Sequence, residues 1–503
     1  MTNFTMQFTE YIAAPSRLAT AAVCLLAASM AWGLEVQCTP GSLSAAVADA
    51  AAVTELKLTG SVDASDLFFI DSSMPSLRSL DLSGVTVAAY SGDKLRGLSN
   101  YPAATIPANA FTGNAITSLT LPAAEVTIEA AAFAGTAITG LTLPANVTLA
   151  GDGAFSSCPQ LLQATVCTPN TGNFTFAGCS KLEKVTFRGT TVLGTGAFED
   201  CTALTDVEGT SSVAAVGAKA FDGCSSLTEF VFGSALESIG ARAFASTGLT
   251  DADLTSAPRL RSLGEWAFAH CPALTAVQMP AALASVGKGA FFDCASLVSA
   301  NFPPASLNDY VFKGAALTNV SPDILANVDK IGDYALMGAS GISELHLGNS
   351  LDSIGTGAMV NMTGLRSIDA QSLDHVPALG EDVWGGVEQS AVKLSAAPEM
   401  VSEFAATPQW QDFHIEAMST AAPIITTGDT GLQGRFDGAT LLLRSQGADI
   451  TTVSLYDTSG TLLISQAIGT SEAAIDTSAF TTNIYIVVAE LNGELRAVLK
   501  LLR

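Results

Sequence analysis

Positive charge is scarce in this sequence: 22 Lys plus Arg stand against 47 Asp plus Glu, a formal charge of -25 at pH 7. A surface of that sign repels phosphate backbones and anionic bilayers, so it excludes nucleic acid as a partner and disfavours attachment to a membrane surface. Histidine is also rare. The four copies, His270, His346, His375 and His414, are scattered, and none sits in a nucleophile, metal-ligand or phosphate-cradling motif. Catalysis has no constellation to rest on, so no enzyme activity and no cofactor are expected. Beyond the first 33 residues there is no apolar run approaching the roughly 20 residues of a spanning helix. The high mean hydropathy, +0.39, comes instead from alanine and from a set of repeated core positions.

At the N-terminus, Arg17 precedes an apolar stretch from Leu18 to Met30 and then Ala31-Trp32-Gly33, with small residues at the two positions that a signal peptidase reads. Residues 1–33 are therefore expected to be an export leader. Cys24 follows Ala21-Ala22-Val23, which lacks the small residue that precedes a lipidated cysteine.

What dominates the rest is a pair of residues recurring every 21 to 24 positions: Ala110-Phe111, Ala132-Phe133, Ala154-Phe155, Ala197-Phe198, Ala220-Phe221, Ala243-Phe244, Ala267-Phe268 and Ala290-Phe291. Degenerate copies at Thr175-Phe176, Val311-Phe312, Ala335-Leu336 and Ala358-Met359 fill the remaining slots. A period of this length marks a solenoid, whose units bury their apolar faces only by stacking on neighbours. After each phenylalanine comes a short alternating segment such as Leu119-Thr120-Leu121-Pro122 or Leu141-Thr142-Leu143-Pro144, the pattern of a strand with one buried face. The following proline cannot donate to a ladder and ends the strand.

Gly217, Gly240, Gly264, Gly287, Gly332 and Gly355 each lie four residues before the phenylalanine position, each behind an aliphatic residue. They mark either a turn that needs permissive dihedrals or a point of close packing. The unit thus carries two apolar segments on either side of a thin core. Cys158, Cys179, Cys201, Cys224, Cys271 and Cys294 all lie three residues after the phenylalanine position. As zinc ligands they would come from one equivalent site per coil with no histidine beside them. As disulfides they would have to join side chains that point the same way. Buried thiols acting as small hydrophobes are the expected reading.

The composite pattern, aliphatic-Gly-x-x-Ala-Phe-x-x-Cys-x-x-Leu followed by the alternating strand and proline, resembles the BspA-like leucine-rich repeat family of bacterial surface proteins over about residues 107–415. The resemblance implies a leucine-rich-repeat solenoid whose short strands form one curved parallel sheet, and a surface role in adhesion or host-protein binding. Residues 34–105 are expected to supply an N-terminal cap, with helix near Leu43 to Val53, and the first repeats. The array with its C-terminal cap spans 106–416, closed by a helix over 400–407 and by Trp410 and Phe413. Residues 417–429 read as a linker and 430–503 as a small antiparallel β-sandwich. That tail is similar to the sorting domain of type IX secretion cargo, on Tyr456-Asp457 with Gly460, Tyr485-Ile486-Val487 and Lys500 to Arg503.

Between the strand leucines, polar residues face outward, and in leucine-rich solenoids this is the usual binding face. They are Ser118, Thr120, Thr142, Gln163, Thr165, Lys184 and Thr186 early in the array, and Gln278, Asn301, Glu344, His346 and Asp369 late in it. In the middle, three consecutive coils project Asp206, Glu208, Glu229, Asp251 and Asp253, with no intervening Lys or Arg. This is either a solvated acidic face or a patch for a basic protein segment or a divalent cation such as calcium, since clustered carboxylates repel until a cation compensates them. An extracellular or host protein is the expected partner. A glycan-binding role in nutrient capture is the alternative, and the scarcity of aromatics on this face counts against it.

Overall fold

The computed structural model describes residues 33–149, 151–303, 306–417, 432–437, 439–445, 449–458, 461–480, 484–491 and 495–502. The expected leader lies outside these residues except for Gly33, as does the expected linker except for Ala417.

One coil shows how the repeat folds. The strand Asp206–Glu208 runs along the front and the two-residue strand Ala215–Val216 along the rear; a double turn carrying Phe221 then closes the coil and returns it to Leu227. Front strands pair in parallel with the next coil at one-repeat offset, as in Gln163↔Lys184 and Lys184↔Asp206. Rear strands do the same from Val192–Leu193 through Ser285–Val286. The parallel-strand solenoid is thus as expected, but its strands form two columns rather than one curved sheet, and each column is divided into shorter sheets. Two columns arise because each coil has two apolar segments, and both must pair with the coils above and below.

The turn side contributes a third column of bonds between coils. Phe111, Phe221 and Phe244 donate their backbone N–H groups to Ala132, Ala243 and Ala267 of the next coil at 2.7 to 2.8 Å. Their side chains point inward. From Phe111 to Phe312 every phenylalanine of the repeat is fully buried, and neighbouring rings stack at 5.0 to 6.1 Å between centroids.

The repeated glycines turn out to be a packing requirement. None of Gly217, Gly240, Gly264, Gly287, Gly332 and Gly355 has a positive φ. A Cβ on Gly240, Gly264 or Gly287, however, would lie 2.4 to 2.5 Å from a backbone nitrogen of the preceding coil. The left-handed residues sit elsewhere, two positions before and two after each phenylalanine, as at Arg242 and Ser246 or Trp266 and His270.

The in-phase cysteines are free and buried. Each also makes a specific bond, its thiol donating to the carbonyl of the phenylalanine one coil back: Cys158 to Phe133, Cys179 to Phe155, Cys201 to Phe176, Cys224 to Phe198, Cys271 to Phe244 and Cys294 to Phe268, at 3.1 to 3.4 Å. Burial pushes the Cys201 thiol up to about 12, which keeps it protonated and able to donate. Where threonine replaces cysteine, the Thr136 and Thr247 hydroxyls bond the phenylalanine carbonyl of their own coil at 2.9 Å.

At the N-terminal end the expected helix near 43–53 is reduced to Leu43–Ala46 and a short turn at Ala50–Ala52. The longer helix Ala64–Ser73 was not anticipated. It begins at a capping box, with the Asp63 side chain accepting from Ser65 N–H at 2.9 Å and Asp66 accepting in return from Asp63 N–H at 3.0 Å. Asp66 also holds the N–H groups of Gly41 and Leu43 at 2.9 Å, tying the entry strand Gly33–Cys38 to this helix. At the other end, Trp384 occupies a phenylalanine position, and the helix Val401–Ala406 with Trp410 and Phe413 covers the last coils.

The C-terminal region has the expected antiparallel character. A three-stranded sheet (Leu432–Asp437, Thr440–Ser445, Glu472–Asp476) and a four-stranded one (Ile450–Tyr456, Leu462–Thr470, Ile484–Leu491, Leu495–Leu502) enclose their own core, which includes Leu443, Val453, Leu455 and Tyr485.

Candidate functional site

Every polar strand position assigned to the outside is at least partly solvent-exposed, from Ser118 to Asp369. The front of the array is therefore a continuous polar strip on a rigid stack. Its local chemistry divides it into three parts.

The first is a groove of about 710 Å³ where the front column is interrupted between Ser118–Thr120 and Gly140–Leu143. Thr120, Thr142, Gln163 and Thr165 line it, with Pro122 and Asn146 on the rim. Gly140 contributes no side chain, which deepens the floor. The individual residues were legible as outward-facing, but their meeting in a groove depends on the break in strand pairing.

The acidic stretch is the second part, and the structure divides its five carboxylates. Lys184, from the preceding coil, places its ammonium 2.6 Å from both Asp206 and Glu208. These bonds, to Asp206 first and then Glu208, raise the Lys184 pKa. No cation stands between the acids along the array, as expected, but one bridges two of them from the side. Among the described residues, Glu229, Asp251 and Asp253 have no ion-pair partner. Asp253 accepts instead from the hydroxyl and the backbone N–H of Thr255, and these bonds lower its pKa.

Glu229 does not lie on a strand. The front column stops at Asp206–Glu208 and resumes at Asp251–Asp253. In the intervening coil, Phe230 and Phe232 pack edge-on against the buried ring of Phe244 at 4.9 and 5.4 Å. Phe232 repeats the role of Phe187 and Phe302, but Phe230 is larger than the Val185, Val207 or Ala252 of other coils, and the segment departs from strand geometry there with Val231 68% exposed. Counted from the buried Leu204, Leu227 and Leu249, Val231 falls between Glu208 and Asp253 in the same outward column. Sequence reasoning passed over it because a valine beside two phenylalanines reads as core. Among the described residues no group of three or more His, Cys, Asp or Glu is arranged to hold a metal ion.

The third part, at the late coils, is mostly paired internally. His346 lies 2.6 Å from Asp323 and 3.3 Å from Glu344. Burial alone would pull its pKa down, but the bonds to these two carboxylates outweigh it and the pKa is raised. Lys393 pairs with Glu416, which His414 also approaches at 3.1 Å. Among the described residues Asp369 accepts only from the Gln371 N–H, so the front of the late coils holds one carboxylate without an ion pair, against three adjacent ones in the middle.

Among the described residues no helix is long and apolar enough to cross a membrane. A comparison with curated proteins finds no match. Among solved structures the chain is similar to a leucine-rich repeat protein of Bacteroides ovatus, with 18% identity, a TM-score of 0.49 and coverage of 75% of this chain and 86% of that one. It is also similar to a leucine rich cell surface protein of Faecalibacterium prausnitzii, with 20% identity, a TM-score of 0.29 and coverage of 56% and 85%. A leucine rich repeat protein of T. pallidum shares 22% identity at a TM-score of 0.25, over 41% of this chain and 78% of that one. The BspA type leucine rich repeat region matches over residues 104–227, 191–318 and 305–384. These matches are contiguous, cover more than half of the chain and coincide with the phenylalanine column, and on that basis the protein belongs to the BspA-type leucine-rich repeat family.

Proposed function

We propose that this chain is an exported, surface-displayed recognition protein whose front face binds an extracellular or host protein through a basic segment. The observation that carries the reading is the middle of the front face, where Glu229, Asp251 and Asp253 lack ion-pair partners among the described residues and flank the exposed Val231. Uncompensated carboxylates around one apolar residue suit a Lys- or Arg-rich loop that also inserts a small apolar side chain. Spread along the array with no converging group, they suit such a segment better than calcium. Charge of this kind speeds association and adds specificity, and both effects weaken with salt.

The test is an array of extracellular-matrix and cell-surface proteins probed with the intact chain at low and high salt. Partners found there are then measured against the combined variant Glu229→Gln, Asp251→Asn and Asp253→Asn, and against Val231→Ser. Affinity is expected to fall about tenfold in the triple variant and to lose most of its salt dependence. Equal affinity for the variant and the parent would remove the reading.

For the tail we infer a sorting role, supported by the compact antiparallel pair of sheets and by the motif residues Tyr456, Asp457 and Tyr485, the last buried in its core. Such a domain is expected to be absent from the surface-displayed form. Intact-mass measurement of protein released from the cell surface checks this, and a surface form retaining residues 430–503 would overturn it.

A further inference from the structure

The turn side of the array changes character along its length. Most early coils place small or charged residues two before and one after the phenylalanine position, as at Ala131 and Ala134, Gly153 and Ser156, Lys219 and Asp222, Arg242 and Ala245; the exception is a single ring, Phe174, with no aromatic at these positions in the coils next to it. Later coils place Trp266, Phe292, Tyr310 and Tyr334 at these positions, all half-buried. The rings touch across four successive coils. Trp266 meets Phe292 edge-on at 5.2 Å and lies 6.3 Å from Tyr310, which stacks on Tyr334 at 5.4 Å.

Closing the core does not require this strip. The buried phenylalanine column runs beneath it without interruption from Phe268 through Phe291 to Phe312. The strip is also built against a local preference. Trp266, Tyr310 and Tyr334 have φ of 58°, 61° and 56°, in the left-handed region that bulky side chains avoid. Sister coils fill the same position with Gly153, Gly196, Gly289 and Gly357. Glycine in the next coil makes room for such a ring: a Cβ on Gly289 would lie 2.4 Å from the Trp266 ring, one on Gly357 2.5 Å from Tyr334, and one on Gly196 2.4 Å from the isolated Phe174. Half-exposed aromatics held in an unfavourable backbone region and grouped in one place are the mark of a binding surface.

The surrounding charges define what can bind there. Lys288 sits 4.9 Å from the Tyr310 ring centre and 3.7 Å from Asp309. Lys313 lies among Phe292, Tyr310 and Tyr334 at 5.7, 5.2 and 5.2 Å. Glu265, Asp293, Asp309 and Asp333 occupy the neighbouring positions in the same coils. Acids outnumber lysines, which disfavours an anionic polymer. A polyproline segment also docks on aromatic grooves, but its prolines have no N–H to offer; Asp293, Asp309 and Asp333 already accept from His270, Lys288 and the Thr356 N–H, and such a segment could add no further donor to them or to Glu265. Sugar hydroxyls both donate and accept, and the C–H faces of a pyranose pack on aromatic rings. Coils advance about 4.8 Å each, so an extended chain of sugars lying along the array meets a new set of these groups at each ring or two. We propose that the turn side from Trp266 to Tyr334 is a binding strip for a neutral glycan, separate from the acidic front face.

Tryptophan fluorescence of the intact chain tests this directly, because Trp384 and Trp410 are buried and Trp266 is the responsive indole among the described residues. The probes are neutral hexasaccharides of glucose, mannose and xylose, with heparin and a polyproline peptide for comparison. At least one neutral hexasaccharide is expected to shift the emission and bind saturably. Trp266→Gly and Tyr310→Gly keep the coil, since glycine already occupies this position elsewhere, and each should weaken binding, measured by calorimetry, about tenfold with the thermal transition retained. The front-face triple variant should bind the sugar normally, so failure here is distinguishable from failure of the protein-binding reading. The proposal is overturned if no neutral hexasaccharide binds, if only heparin or polyproline does, or if both glycine variants bind like the parent.

Discussion

Phe244→Ala is expected to lower the unfolding free energy by about 3–5 kcal/mol, the range for deleting a fully buried aromatic ring. The Phe244 ring stacks on Phe221 at 5.3 Å and on Phe268 at 5.2 Å, with interplanar angles of 12° and 8°. Phe230 and Phe232 close it in from the side. The resulting cavity has little freedom to collapse, because coil spacing is held by backbone bonds on the turn side, such as Phe244 N–H to the Ala267 carbonyl at 2.8 Å, and by the rear ladder. Stability in a stacked array is a sum of unit and nearest-neighbour terms, so the loss falls on the coils around residue 244. Urea unfolding should show it as a lower midpoint or as separation into two transitions, and hydrogen exchange should place the weakened amides in the adjacent coils. A change below about 1 kcal/mol would mean that the column relaxes around the gap and is not the rigid spine described above.

Gly264→Ala adds a single methyl group and is expected to cost about 3 kcal/mol, the upper end for overpacking. Its φ is unexceptional, so there is no conformational penalty. The cost is steric: the new Cβ would lie 2.4 Å from the nitrogen of Ala241 and 2.4 Å from the carbonyl carbon of Gly240. Both are backbone atoms of the preceding coil and can yield only if the coils separate. Separation would break the bond from Gly264 N–H to the Ile239 carbonyl at 2.8 Å. Gly113→Ala is the matched control, with φ of +73° and nothing within 4 Å of its Cβ, so it measures the left-handed backbone term by itself, about 1 kcal/mol. Thermal unfolding of the two variants side by side separates the effects. A Gly264→Ala cost no greater than that of Gly113→Ala would show that the glycine column serves the turn and not the stacking.

How much of this was readable beforehand depended on period. A residue that recurs in phase is subject to the same environment in every coil, so the Ala-Phe pair, the cysteines and the outward polar positions were assigned correctly from spacing alone. In the C-terminal region alternation points to strands over 440–444, 453–456 and 484–488, and the structure has strands at 440–445, 450–456 and 484–491. What escaped were departures from the repeat. The helix Ala64–Ser73 precedes the regular array, and the segment around Glu229, which is not a strand, holds Phe230 where other coils have the smaller Val185, Val207 or Ala252. The bridging of Asp206 and Glu208 by Lys184 was missed for a related reason. Lys184 was identified as outward-facing, but whether a flexible side chain crosses to the next coil depends on a register of one coil against another.

Repetition therefore set the architecture: an apolar ruler of 21 to 24 residues is stable only as a stack, and it dictates which residues are buried and which face water. Tertiary structure decided the chemistry of the surface. It showed that the repeated glycines answer to contact between coils, and that Glu229, Asp251 and Asp253, together in the middle of the front face, have no ion-pair partner among the described residues. It also gathered Trp266, Phe292, Tyr310 and Tyr334, drawn from four coils, into one strip. The physical reason is that burial is a property of position within a repeat, whereas neighbours on a solenoid surface are residues more than 20 positions apart in the chain, brought together only by stacking.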